Sequence, residues 1–169
     1  MRPLATVEFL FLPAPPMHPT RPIEIRRAVP SDAAALSALM HSCSAYRGAY
    51  AAILQGYAIA PAQVERDLMH AACIGARILG FYSLAGLDTE PELDLMFVAD
   101  AAQGTGMGKL LFDHMRATAR GHGVREIRIV SHPPAEAFYL RMGAQRIGSI
   151  LPGGRVTWPR PLLRLAVTP

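Results

Sequence analysis

The chain has 169 residues, of which 51% are apolar and 18% charged. That composition excludes a disordered chain and suits a single domain with a sizeable core. The net charge of +4 comes from scattered arginines and no Lys/Arg block, a weak argument for nucleic acid that leaves an anionic ligand open.

No apolar run is long enough to span a bilayer. Cys43 and Cys73 lie in apolar stretches without metal-type spacing, which reads as two buried, reduced thiols. No histidine spacing suggests a metal either. Residues 1–22 are proline-rich and form an N-terminal arm. It reads as a flexible arm, as an extra edge strand at Thr6 to Leu12, or as an upstream start with Met17 as the alternative. Arg2 and the apolar Phe9 to Leu12 resemble the start of a signal peptide. Glu8 and Pro13, Pro15 and Pro16 interrupt that pattern, so a cytoplasmic location is expected.

The folded domain is expected over 23–169. Ile23 to Ala28 alternates as a first strand. Pro30-Ser31-Asp32 opens a helix with Ser31 as N-cap, and Leu36, Leu39, Met40 and Cys43 form its buried stripe. Tyr46 to Ile59 is irregular and carries Tyr46, Tyr50 and Tyr57, each read as packing. Pro61 starts a helix through about Ala71. Ala72 to Ile74 and Arg77 to Leu84 form a hairpin. Glu92 to Val98 is a strand with Leu93, Leu95 and Phe97 on one side. An amphipathic helix begins near Met107, with Leu110, Leu111, His114, Met115 and Thr118 on the inner face. Lys109, Asp113, Arg116 and Arg120 lie on the outer face. Gly121-His122-Gly123 stops it. Glu126 to Val130 is a strand, Ala135 to Met142 a short helix ended by Gly143, and Ala144 to Ile150 and Leu162 to Val167 closing strands. The result is a mixed, twisted α/β sheet with helices on both faces.

Between the strand ending at Val98 and the long helix lies Gln103-Gly104-Thr105-Gly106-Met107-Gly108-Lys109. Glycines ahead of a helix N-terminus let a phosphate approach unpaired N–H groups. The spacing G-x-G-x-G is not the dinucleotide fingerprint, and Leu110 after Gly108-Lys109 breaks the P-loop pattern. Gln103-x-x-Gly106-x-Gly108 resembles the Q/R-x-x-G-x-G/A loop of the GNAT superfamily of acyl-CoA-dependent N-acyltransferases. Ser131 to Ala144, with Phe138-Tyr139 on a short helix closed by Gly143, resembles the second GNAT signature. Together the resemblance covers about residues 23 to 167.

The resemblance implies a GNAT fold, acetyl-CoA as cosubstrate, no metal, and an amine acceptor on a small molecule or protein. It implies that Gly104 to Lys109 and Gln103 hold the pyrophosphate. The main chain of Met96, Phe97 and Val98 would pair with the pantetheine arm and polarise the thioester carbonyl. Tyr139 matches the tyrosine that protonates the departing thiolate; its ordinary pKa near 10 lies close above that of a thiol, so a small gap opposes the transfer. Glu92 matches a position that carries a general base in some members. Asp94 shares its face, and either could instead bind a cationic acceptor. Where members often place Asn or Asp ahead of the Phe-Tyr helix, this chain has His132-Pro133-Pro134, with His132 as the replacement contact. A non-catalytic acyl-CoA-binding module and a toxin-like acetylation of aminoacyl-tRNA are the alternative readings. No membrane partner is expected, and a homodimer stays open.

Overall fold

The computed structural model describes residues 22–167. The expected arm therefore falls, except for Pro22, outside the described residues, together with the strand read at Thr6 to Leu12 and the alternative start at Met17. The strands are β1 (Glu24–Arg27), β2 (Leu68–Ile74), β3 (Arg77–Ala85), β4 (Glu92–Val98), β5 (Glu126–Val130), β6 (Gln145–Ile150) and β7 (Arg160–Ala166). The helices are α1 (Ala33–Ser42), α2 (Pro61–Arg66), α3 (Met107–Gly121) and α4 (Glu136–Arg141). One mixed sheet runs in the order β1-β2-β3-β4-β5-β7-β6.

Each face of the sheet carries its own core. On one side α1 and α2 bury Leu36, Met40 and Val64 against Met69, Phe81 and Phe97. On the other, α3 buries Met107, Leu111, Phe112, Met115 and Ala119 against Tyr82, Ile127, Ile129 and Leu163. Leu110, expected on the inner face of α3, is instead 42% exposed, and Phe112 takes the buried place. His114 is part-buried and shares a polar contact with Tyr82, whose hydroxyl lies 2.9 Å from its Nδ1.

Three local readings need correction. Ser31 does not cap α1. Pro30–Asp32 is a 3-10 turn, and it is the Asp32 carboxylate that accepts the Val29 N–H at 2.9 Å and pairs with Arg26 at 2.7 Å. The helix from Pro61 ends at Arg66. The chain turns extended at Asp67, and Leu68 to Ala71 belong to β2, because pairing with β1 and β3 outweighs the helical preference of Leu68, Met69 and Ala71. The irregular stretch between α1 and α2 contains 3-10 segments at Ser44–Tyr46 and Gly48–Leu54.

The third correction concerns β4. Ser83 pairs with Leu95 and Leu84 with Leu93, so Asp94 has no cross-strand partner and forms a bulge. Strict alternation fails there. Leu93 packs into the α3 core while Phe97 packs into the α1 core, contrary to the reading that put both on one side.

β4 and β5 run parallel and pair only at Glu92 and Arg128. Beyond that point β4 keeps β3 on one side and has no neighbour on the other. β5 meanwhile continues into a ladder with β7. The sheet opens into a V whose arms end at the glycine loop and at His132.

Candidate active site

A cleft of about 750 Å³ fills this V. Its lining includes Glu92 to Val98 of β4, Gln103, Gly104, Gly106, Gly108 and Lys109 of the loop, and His132 and Tyr139. The structure thus brings most of the expected site residues to one place. Thr105 and Met107 do not line the cleft. The Thr105 hydroxyl donates to the Ala102 carbonyl at 2.7 Å, and the Met107 side chain is buried in the core under α3. A smaller cavity of about 410 Å³ at the other end of β5 is lined by Glu90, Glu126, Arg128 and Arg164. Those charges pair among themselves, so no free chemistry is left there.

The loop owes its shape to two glycines. Gly104 and Gly106 have φ of +74° and +89°, and a Cβ at either would meet nothing within 4 Å. The requirement is therefore conformational, with open space in front of the backbone. Among the described residues, the N–H groups of Gly104, Thr105 and Gly106 have no backbone acceptor. Those of Met107, Gly108 and Lys109 lie in the first turn of α3, which has no acceptor of its own. Gly106 is the helix N-cap, and no side chain caps it. A row of unpaired donors at the positive end of a fifteen-residue helix favours an anion. Gln103 secures the loop: its amide nitrogen donates to the Val98 carbonyl at 3.3 Å and to Asp100 Oδ1 at 3.0 Å. Gly108 is needed for a different reason, since a Cβ there would sit 3.3 Å from the Phe138 ring of α4.

Tyr139 is 8% exposed and leans on Phe112 and Phe138. Burial, and next the neighbouring Tyr46, push its pKa well above the ordinary tyrosine range, so the phenol keeps its proton. Cys43 lines the same cleft, and burial followed by the charge of Asp100 raises its thiol to about 11.

The two carboxylates of β4 differ. Glu92 is bound by the Arg128 guanidinium, which occupies the group expected to act as base. Asp94, on the bulge, has no ion-pair or hydrogen-bond partner among the described residues. Although its surface opens to the cleft, burial of its carboxylate, then the charges of Glu92 and Asp67, raise its pKa. The bulge that frees Asp94 from the sheet could not be foreseen from alternation alone.

His132 is 5% exposed, stacked on Tyr46 at 4.4 Å with Tyr50 edge-on at 4.7 Å. Its Nε2 lies 2.9 Å from the Ala45 carbonyl. A carbonyl only accepts, so Nε2 carries the hydrogen and Nδ1 is left as a lone pair, buried and without a partner. Burial lowers the imidazole pKa, partly offset by that hydrogen bond. Among the described residues no group of three or more His, Cys, Asp or Glu is placed to hold a metal ion, and no helix is long and apolar enough to cross a membrane.

The chain is similar to known proteins. A family model described as an acetyltransferase (GNAT) domain matches residues 51–152. A 5-NmdU N-acetyltransferase of Pseudomonas phage PaMx11 is 34% identical over 94 residues, which span 54% of this chain and 67% of that protein. Among solved structures, a GCN5-related N-acetyltransferase from Rhodopseudomonas palustris superposes with a TM-score of 0.70 at 17% identity, covering 89% of this chain and 99% of its own. A Salmonella typhimurium acetyltransferase solved with acetyl-CoA gives 0.68 at 18% identity, covering 88% and 95%. At these identities the two solved structures speak for the fold alone.

Proposed function

Because the chain belongs to the GNAT family of acyl-CoA-dependent acetyltransferases, we propose that it transfers an acetyl group from acetyl-CoA to a primary amine of a small molecule or protein. The row of unpaired N–H groups from Gly104 to Lys109 carries this reading, because it fits a pyrophosphate and opens on the same cleft as Tyr139. The Salmonella neighbour's acetyl-CoA supports the choice of ligand. Gln103 fixes the loop, and Lys109 at its end is paired with Asp113. The pantetheine arm lies along the open edge of β4, where Met96, Phe97 and Val98 offer main-chain partners and one N–H polarises the thioester carbonyl. The Nδ1 lone pair of His132 accepts an N–H of that arm, in place of an asparagine.

In the chemical step the amine nitrogen attacks the carbonyl carbon, the C–N bond forms and the C–S bond breaks. The ammonium proton leaves to Asp94, directly or through a water, since Glu92 is committed to Arg128. Tyr139 gives its proton to the departing thiolate. An ordinary phenol is close to a thiol in proton affinity, and the apolar cleft raises both. Burial moves the Tyr139 phenol and the Cys43 thiol of this cleft in the same direction, upward.

Calorimetric titration with acetyl-CoA, followed by thiol release over a panel of amines, tests the reading. No acetyl-CoA binding would refute it. Binding without acetyl transfer to any amine would reduce the protein to an acyl-CoA-binding module.

A further inference from the structure

The face of β5 and β7 turned away from α3 carries a row of arginines. Arg128 and Arg164 are register partners there, and each has its own acid: Glu92 for the first, Glu126 at 2.9 Å for the second. Arg160 is the next arginine on the same face of β7, two alternations along. It has no acid partner among the described residues, and its Nε is buried with no hydrogen-bond acceptor. The Ser131 N–H donates to the Pro161 carbonyl at 2.9 Å, which extends the β5–β7 ladder and brings Arg160 beside His132. Arg160 lines the same cleft as His132, Asp94 and Tyr139. Two residues earlier, Trp158 packs edge-on against Tyr50 at 4.9 Å, and its Nε1–H is also buried without an acceptor.

A guanidinium Nε–H buried without an acceptor is costly. On this face of β5 and β7, Arg128 and Arg164 each have an acid. At Arg160 the acid is absent and the cleft stands in its place. The planar fork of arginine suits a carboxylate or a phosphate, each of which accepts two parallel N–H bonds. The glycine loop ahead of α3 already offers donors to the cofactor's phosphates, whereas Arg160 stands beside His132, which packs on Tyr46 and Tyr50 between α1 and α2.

We infer that Arg160 anchors an anionic group, a carboxylate or a phosphate, carried by the amine acceptor. The acceptor is then a zwitterion: its amine reaches the thioester near Asp94, and its anion rests on Arg160. The inference rests on the transferase reading for the amine, while the anchor itself can be measured without turnover.

Two matched pairs test it: β-alanine against propylamine, and phosphoethanolamine against ethanolamine. The wild type should favour the anionic member of at least one pair in kcat/KM by about tenfold or more, as for a charge-assisted hydrogen bond. The pair that responds tells carboxylate from phosphate. In Arg160→Gln that ratio should fall toward unity, and Arg160→Lys should restore part of it. Melting temperatures of both variants check that they fold. Calorimetric binding of β-alanine and phosphoethanolamine to the CoA-loaded protein serves as the second measurement, with a tenfold or larger weakening expected in Arg160→Gln.

Equal or poorer use of the anionic members by the wild type overturns the proposal. So does undetectable binding of both anionic probes, or binding by Arg160→Gln that matches wild type. A loss of acetyl-CoA affinity in Arg160→Gln with the acceptor preference unchanged also overturns it, because the residue would then be a cofactor contact. Anion binding that depends on Arg160, with no amine turned over, would refute the transferase reading and leave the anchor standing.

Discussion

Replacing Gly106 by valine separates the loop's two duties, keeping a shape and receiving an anion. A Cβ at Gly106 meets no atom within 4 Å, so no steric clash follows within the protein. The φ of +89° remains a cost for a side chain, about 1–2 kcal/mol for a residue held in left-handed conformation. In a domain of this size that lowers the melting temperature by roughly 2–8 °C. The cost to binding is far larger. The valine side chain fills the open space before the N–H row, and a phosphate kept away loses at least two charge-assisted hydrogen bonds, each about 1.5–3 kcal/mol. Acetyl-CoA affinity should drop by about 10²- to 10⁴-fold. Differential scanning calorimetry gives the first quantity and isothermal titration the second. A folded Gly106→Val protein that binds acetyl-CoA as tightly as wild type refutes the anion reading of the loop. A collapse in melting temperature several times the expected one would show that the loop serves the fold first.

Tyr139→Phe removes one oxygen and keeps the ring against Phe112 and Phe138; turnover should fall roughly 10²-fold or more with acetyl-CoA affinity little changed, and near-normal turnover would make Tyr139 a packing residue. For the base, activity should rise with pH as Asp94 loses its proton, at a pH above the ordinary aspartate range since its pKa is raised. Asp94→Asn should remove that limb of the pH profile of kcat, whereas Glu92→Gln, which leaves Arg128 only the more distant Glu90 at 3.8 Å, should act mainly on thermal stability. Loss of the limb in Glu92→Gln alone would return the base role to Glu92. Burial, then the charges of His114, Arg27 and His122, lower the pKa of His70 from 6.5 to about 4. The unfolded chain binds that proton at higher pH than the folded one, so stability is full above about 6.5 and declines as pH falls toward 4. Melting temperatures recorded from neutral to mildly acidic pH should fall less steeply in His70→Gln, and an unchanged slope would rule His70 out as the cause.

Much of the site was legible because it is local in sequence. The strand Glu92 to Val98, the glycine loop and the helix from Met107 to Gly121 follow one another, and each carries its own signal in periodicity or glycine spacing. What escaped depends on distant partners. Leu68 to Ala71 reads as helix by composition and becomes strand because β1 and β3 flank it. Ser31 has the chemistry of a cap, but Arg26 fixes Asp32 where it answers the Val29 N–H. The bulge at Asp94 exists only relative to β3. Glu92 looked free until β5 brought Arg128 beside it, and nothing around Arg160 in the sequence tells that its two companions would find acids and it would not.

The V between β4 and β5 has a mechanical meaning. The sheet is two half-sheets, β1 to β4 and β5 to β7, sewn together by one register pair, by the Arg128 N–H to Pro91 carbonyl bond at 2.8 Å, and by the core under α3, which takes side chains from both halves. On the proposed function, a pantetheine arm along β4 would act as a removable strand that finishes the seam. Cofactor binding and folding then draw on one free energy, and saturation at a hundred times Kd adds about 2.7 kcal/mol to the stability of the whole domain. Amide exchange along β4 would then report cofactor supply: fast at the seam when acetyl-CoA is scarce, slow when it is plentiful.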